Sequence, residues 1–294
     1  MSNPRIAYRM SSQRPALPPL RGKRLLVHLV VNVEHWQFDQ PMPRTILTPP
    51  HGRDGVPDVP NFCWAEYGMR CGMPRLLALF ASRGVPASTS FNAGVAEAYP
   101  DCAAAIRAAG WEMIGHGIHQ RSLSGESDEA ALIGGALDRI AAFGGVRPRG
   151  WLSPGLRESQ ATPDLLRRAG IDYVFDWVLD DLPCWMATRH GPLIALPYTL
   201  ELNDSVVYAV ERHATGELLS RFRRTLAVLE REARDGSRIL TLGLHPHLIG
   251  VPHRIGELEE MLDALLARDD TAFVVGAEMA DWFAAARPSA EEPG

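Results

Sequence analysis

The stretch EMIGHGIHQR, Glu112 to Arg121, carries two histidines three residues apart, His116 and His119. Closely spaced imidazoles are a frequent beginning of a zinc centre, and a hydrolytic zinc takes three protein ligands and keeps one open position. The spacing here works against such a centre. Residues three apart on a strand point to opposite faces, so the two rings converge only if the chain turns after Gly117. On a helical turn the residue stacked four beyond His116 is Gln120, a poor zinc ligand. If a metal such as zinc is bound at all, its ligands are expected to be Glu34, His116 and His119. A site that works without a cofactor is the first expectation.

Other polar residues fall where apolar runs end. Asn32, Glu34 and His35 close RLLVHLVVNV; Arg149, Trp151 and Ser153 lie in RPRGWLSPG. Asp180 and Asp181 follow IDYVFDWVL, Glu201, Asn203 and Asp204 follow PLIALPYTL, and His245 and His247 close RILTLGLHPH. In parallel α/β folds the C-terminal strand ends share one mouth, where sites are built. Glu34, His116 and His245 are the set best suited to acid–base chemistry there.

The elements that must position these residues alternate along the chain. Buried-strand patterns alternate with amphipathic helical ones, from RLLVHLVVNV and MPRLLALFASRG to TAFVVGA and EMADWFAAA. SDEAALIGGALDRIAAFGG is expected to form a helix with Ser127 as N-cap and Gly144 as its stop. Strand–helix alternation implies a mainly parallel sheet covered by helices. Seven or eight such units in 294 residues predict a (β/α) barrel in one domain, with a doubly wound open sheet as the alternative. No GxGxxG follows the first strand, which removes support for dinucleotide binding. The predicted division is an N-terminal arm over 1–22, a catalytic barrel over 23–286 with a long proline-rich loop over 35–61, and a C-terminal tail over 287–294.

A net charge of -5 with no basic stripe argues against nucleic acid as a partner. No apolar run approaches the ~20 residues of a membrane span, and the N-terminus lacks the apolar core of a signal peptide. A cytoplasmic protein is expected, with Cys63, Cys71, Cys102 and Cys184 as reduced thiols, since none forms a CxxC pair.

The segments VNVEHW, DVPNFCWAEYGMRCG, GHGIHQ, RPRGWLSPG, DWVLDDLP and LHPHLIGVPHR together resemble the polysaccharide deacetylase superfamily over roughly Leu25 to Phe283. Within it they are similar to the branch of metal-independent allantoinases and cyclic imide hydrolases. The resemblance implies a distorted, incomplete (β/α) barrel in a single domain and a homo-oligomer. Where deacetylases of this superfamily carry a basic and a metal-binding acid, this chain has Asn32 and Glu34. Their metal-binding histidine pair corresponds to His116 and Gln120, with His119 one residue out of register. Their general-acid histidine corresponds to His245.

The expected activity is hydrolysis of a carbon–nitrogen bond that opens a small cyclic amide, imide or ureide. Glu34 and His116 would hold or activate water and His245 would give a proton to nitrogen. Asn32 and Arg70 would bind substrate carbonyls, and Trp64, Tyr67 and Trp151 would wall a flat ring. The alternatives are a zinc-dependent N-deacetylase of an amino sugar or glycan, and a non-catalytic relative that binds a small ligand.

Overall fold

The structure, a computed structural model, describes residues 3–48 and 55–289. Among the described residues nine strands form one sheet: β1 (Leu25–Val33), β2 (Ser88–Phe91), β3 (Glu112–Gly115), β4 (Gly150–Trp151), β5 (Tyr173–Val174), β6 (Cys184–Met186), β7 (Leu193–Ala195), β8 (Arg238–Leu244) and β9 (Thr271–Val274). Their order is β6-β7-β5-β4-β3-β2-β1-β8, and β9 pairs with Leu25–His28 of β1. Every pairing is parallel except β6 with β7.

The sheet curls so that the chain beyond β7 returns to β8, where a single bridge joins Asn203 to Gly243 and the Gly243 amide donates to the Leu202 carbonyl at 3.0 Å. One bridge in place of a full strand pair makes this the distorted, incomplete (β/α) barrel of a single α/β domain.

Nine α-helices accompany the strands in the described residues: α1 (Val59–Tyr67), α2 (Met73–Arg83), α3 (Val95–Ala98), α4 (Pro100–Ala108), α5 (Glu129–Gly144), α6 (Thr162–Arg168), α7 (Glu217–Glu232), α8 (Ile255–Leu266) and α9 (Gly276–Ala286). All nine residues of β1 are buried, because helices cover one face and the barrel interior takes the other. Alternation sorts its side chains. Leu25, Val27, Leu29, Val31 and Val33 join the core beneath the helices, while Leu26 and Val30 join the interior cluster with Ile114, Leu152, Tyr173 and Phe175.

Several local expectations are corrected. The loop predicted over 35–61 ends earlier, since Asp58 caps α1 by accepting from the Asn61 amide; residues 49–54 of that loop lie outside the described residues. The cap of α5 is Asp128, which accepts from the Ala131 amide at 2.9 Å, and the helix runs through Gly144 to a left-handed Gly145. The apolar run Ile171 to Leu179 pairs as a strand only at Tyr173–Val174. The N-terminal arm packs on the barrel: Ile6 and Leu17 are buried, and Arg5 binds Asp164 at 3.0 Å. Residues 290–294 of the expected tail fall outside the described residues, and the four cysteines form no disulfide.

Candidate active site

Strand parity aims one set of side chains into the barrel mouth. Asn32 and Glu34 continue the interior face of β1 set by Leu26 and Val30. His116 continues that of β3 from Ile114, and His245 that of β8 from Ile239. These four residues line one cavity of about 790 Å³ with Trp36, Arg44, Gln120, Ser153, Tyr198, Asn203 and His247 among others.

Glu34 sits at the centre. Its carboxylate accepts from the Trp36 indole at 2.7 Å and from the Gln120 amide at 2.7 Å. The Nε2 of His245 lies 3.7 Å away. Burial raises the Glu34 pKa above the usual carboxylate range, against the pull of His245, the Trp36 hydrogen bond and Arg44.

His245 is held from behind by Asp204. Its Nδ1 donates to one carboxylate oxygen at 2.6 Å, and its backbone amide donates to the other at 2.7 Å. Asp204 also accepts from the Ile249 amide at 3.1 Å, so a fully buried carboxylate has the partners that its burial demands. Burial alone would lower the His245 pKa, but the Asp204 charge, its hydrogen bond and Glu34 outweigh this and raise it.

His116 is held differently. Its Nδ1 donates to the Leu152 carbonyl, so the neutral ring presents an acceptor at Nε2, which is buried and has no hydrogen-bond partner among the described residues. Burial lowers its pKa to about 4, with the His245 charge adding to the shift, and the bond to Leu152 and the neighbouring Gln120 side chain opposing it.

The remaining predicted residues are placed as follows. Asn32 lies in the cavity wall with its amide committed. It donates to the Tyr198 hydroxyl at 3.0 Å and the Leu244 carbonyl at 3.1 Å, and accepts from Ser90 at 2.7 Å. His119 is not brought to the cavity. After Gly117, at φ +71°, the chain turns; the His119 ring meets the His35 ring at 2.9 Å between Nδ1 atoms, and Gln120 enters the wall instead. Trp151 is fully buried on the helix-facing side of β4, its ring over Gly115, because Leu152 takes the interior parity.

The other three come from the covering layer. Trp64 of α1 packs behind the wall, edge-on to Trp36 and His247 with centroids 6.0 and 4.7 Å away. Tyr67 is partly exposed and its hydroxyl accepts from Arg75 at 3.2 Å. Arg70 points to solvent and binds Glu66 one turn earlier at 2.6 Å. These residues do shape the site indirectly. A Cβ on Gly72 would lie 2.0 Å from the Pro246 carbonyl oxygen, and one on Gly68 would lie 2.5 Å from the His247 nitrogen. The glycines of EYGMRCG thus let this segment pack directly on the backbone of LHPH, which carries His245.

Tyr198, Trp36 and Gln120 line the cavity, and Asp204 stands behind His245, without having been assigned roles from the sequence. For Asp204 the available signal was its position after an apolar run; its pairing with His245 depends on the Asn203–Gly243 bridge.

The donor set does not fit a three-ligand zinc centre. Gln120 supplies an amide that donates toward Glu34, His119 is turned to His35, and the described residues contain no group of three His, Cys, Asp or Glu placed to hold a metal. The constellation that remains can take a proton at Glu34, accept a hydrogen bond at His116 and give a proton from His245.

Comparison with known proteins bears on the fold and the family. A family profile described as polysaccharide deacetylase matches residues 64–174. A Schizosaccharomyces pombe protein provisionally named a polysaccharide deacetylase is 27% identical over 243 residues, 76% of each chain. The crystal structure of a probable polysaccharide deacetylase from Pseudomonas aeruginosa superposes with a TM-score of 0.84 at 27% identity, over 94% of this chain and 96% of the other. That of PuuE allantoinase gives 0.82 at 26% identity, over 94% and 96%. Among the described residues no helix is long and apolar enough to cross a membrane. Fold and neighbours converge: the chain is similar to proteins of the polysaccharide deacetylase superfamily, PuuE allantoinase among them.

Proposed function

We propose that the protein hydrolyses a carbon–nitrogen bond in a small cyclic amide, imide or ureide, opening the ring without a bound metal. The observation that carries this reading is the chain Asp204–His245–Glu34 facing the unpartnered Nε2 of His116, with amides at the positions of Asn32 and Gln120. A water lodged between Glu34 and His116 would give its proton to Glu34 as its oxygen bonds to the ring carbonyl carbon. Tyr198 accepts from the amides of Asn32 and Asn203, which leaves its own hydrogen for the carbonyl oxygen as charge develops there. On collapse of the tetrahedral intermediate the carbon–nitrogen bond breaks and the His245 imidazolium protonates the nitrogen. Proton passage from Glu34 to His245, 3.7 Å apart, restores both groups, and the net change is addition of one water.

The names of relatives favour a second reading, N-deacetylation of an amino sugar. Turnover of hydantoin, succinimide and allantoin, set against N-acetylated amino sugars, separates the two. Chelator-treated protein of measured metal content is to be used. Ring opening by metal-free protein is the expected result. Turnover confined to acetylated sugars, or strictly dependent on metal, would overturn the proposal, and binding of rings without turnover would identify a silent relative. A cytoplasmic, homo-oligomeric protein acting on a small molecule rather than on nucleic acid or membrane fits this reading; sizing the native protein by light scattering tests the assembly.

A further inference from the structure

The cavity holds more positive charge than ring opening requires. Arg44, Arg121 and Arg157 all line it, and Glu34 is the one carboxylate in its wall among the described residues. None of the three arginines forms a salt bridge or side-chain hydrogen bond with another described residue. This occurs in a chain of net charge -5, where most other arginines near an acid are paired with it, as Arg5, Arg14 and Arg149 are.

Depth separates the arginines from the reacting groups. Glu34, His116 and His245 have little or no exposure, whereas Arg44 is half-buried and Arg121 and Arg157 are exposed. Arg121 and Arg157 therefore stand at the mouth, Arg44 lies farther in, where its charge acts on Glu34 and His245, and the acid–base groups occupy the floor. The carboxylate released by ring opening forms at the floor, so it does not account for charge at the mouth. Size argues the same way. A bare five-membered cyclic imide would leave most of the roughly 790 Å³ to water, and binding sites are generally filled by their ligands.

We infer that the true substrate is a ring bearing a carboxylate substituent, and that Arg44, Arg121 and Arg157 select it by receiving that carboxylate at the mouth while the scissile bond lies on Glu34 and His245. A planar guanidinium matches a carboxylate in two parallel hydrogen bonds, and three from different loops leave room for a carboxylate on a short arm. This inference rests on the proposed ring-opening activity for its chemistry, but its binding part can be tested alone.

The test uses hydantoin-5-acetate and its uncharged near-isostere, hydantoin-5-acetamide, with wild-type protein and with Arg44→Gln, Arg121→Gln and Arg157→Gln. The acid is expected to exceed the amide in kcat/KM by at least about tenfold, and that ratio should fall by about tenfold in the variants whose charge-assisted bond is lost. The ratio should also shrink with added salt, because the arginines at the mouth are open to screening. A ratio near one in the wild type, or one unchanged in all three variants, would overturn the inference even if both rings are opened. Where neither ring turns over, calorimetric dissociation constants decide. Tighter binding of the acid that weakens in the variants would sustain the carboxylate site while removing the hydrolase reading. Equal binding of acid and amide, or no binding of the acid, would overturn the site as well.

Discussion

The two sides of the cavity hold their histidines by the same ring nitrogen but against different acceptors. On the β8 side the Nδ1 of His245 donates to the Asp204 carboxylate; on the β3 side the Nδ1 of His116 donates to the Leu152 carbonyl. Both rings are buried, yet their basicities move in opposite directions, upward for His245 and down to about 4 for His116. The acceptor accounts for the difference. A buried carboxylate stabilises an imidazolium by charge, while a neutral carbonyl only fixes the tautomer and leaves desolvation to dominate. One side is built to hold a proton and the other to accept a hydrogen bond, and Glu34 lies between them.

Removing the shared centre should have the largest effect. Glu34→Gln is expected to lower kcat by on the order of 10²–10⁴ with the far-UV circular dichroism spectrum unchanged. Turnover within a few-fold of wild type would mean that the two sides work without their common carboxylate.

The next effect falls on the protonated side alone. His245→Ala should cost about 10²–10³ in kcat/KM on a plain lactam and less on an imide, whose nitrogen leaves readily as an anion. A series of leaving groups of graded acidity measures this. A loss uniform across the series would make His245 a positioning group and end the contrast in proton-holding.

Asp204→Asn sharpens the comparison by giving His245 an uncharged acceptor like that of His116. A drop of roughly ten- to a hundredfold in kcat is expected, together with a shift in the pH profile. Asp204 raises the pKa of His245, and the required imidazolium is lost as pH rises through that value. Without the carboxylate the alkaline limb must therefore move to lower pH. An unmoved limb would show that another group titrates there.

The smallest effect is expected at His119. His119→Ala should leave kcat/KM within a few-fold, whereas His116→Ala should cost about tenfold or more, since only His116 presents an unpartnered nitrogen to the cavity. Equal losses in both variants, with loss of a bound metal from each, would establish the pair as ligands and overturn the metal-free reading.

Local pattern was enough to fix a good part of this molecule. The alternation of apolar strands with amphipathic helices determined the barrel class. The β-branched run at Leu25–Val33 determined a strand buried on both faces, and its period of two carried Asn32 and Glu34 to the same face. Tertiary structure decided what depends on residues far apart in the chain. Asp204 reaches His245 across 41 residues through a single bridge between Asn203 and Gly243. The Trp151 ring turned to the helix side because Leu152 holds the interior position. Trp64, Tyr67 and Arg70 sit on a helix and turn that cover the barrel, and their motif resemblance came with no direction attached. Periodicity dictates which face a side chain takes within one element, because backbone geometry is local. Which faces then meet at a barrel mouth depends on how the sheet curls, and that is set by packing between elements that no local pattern encodes.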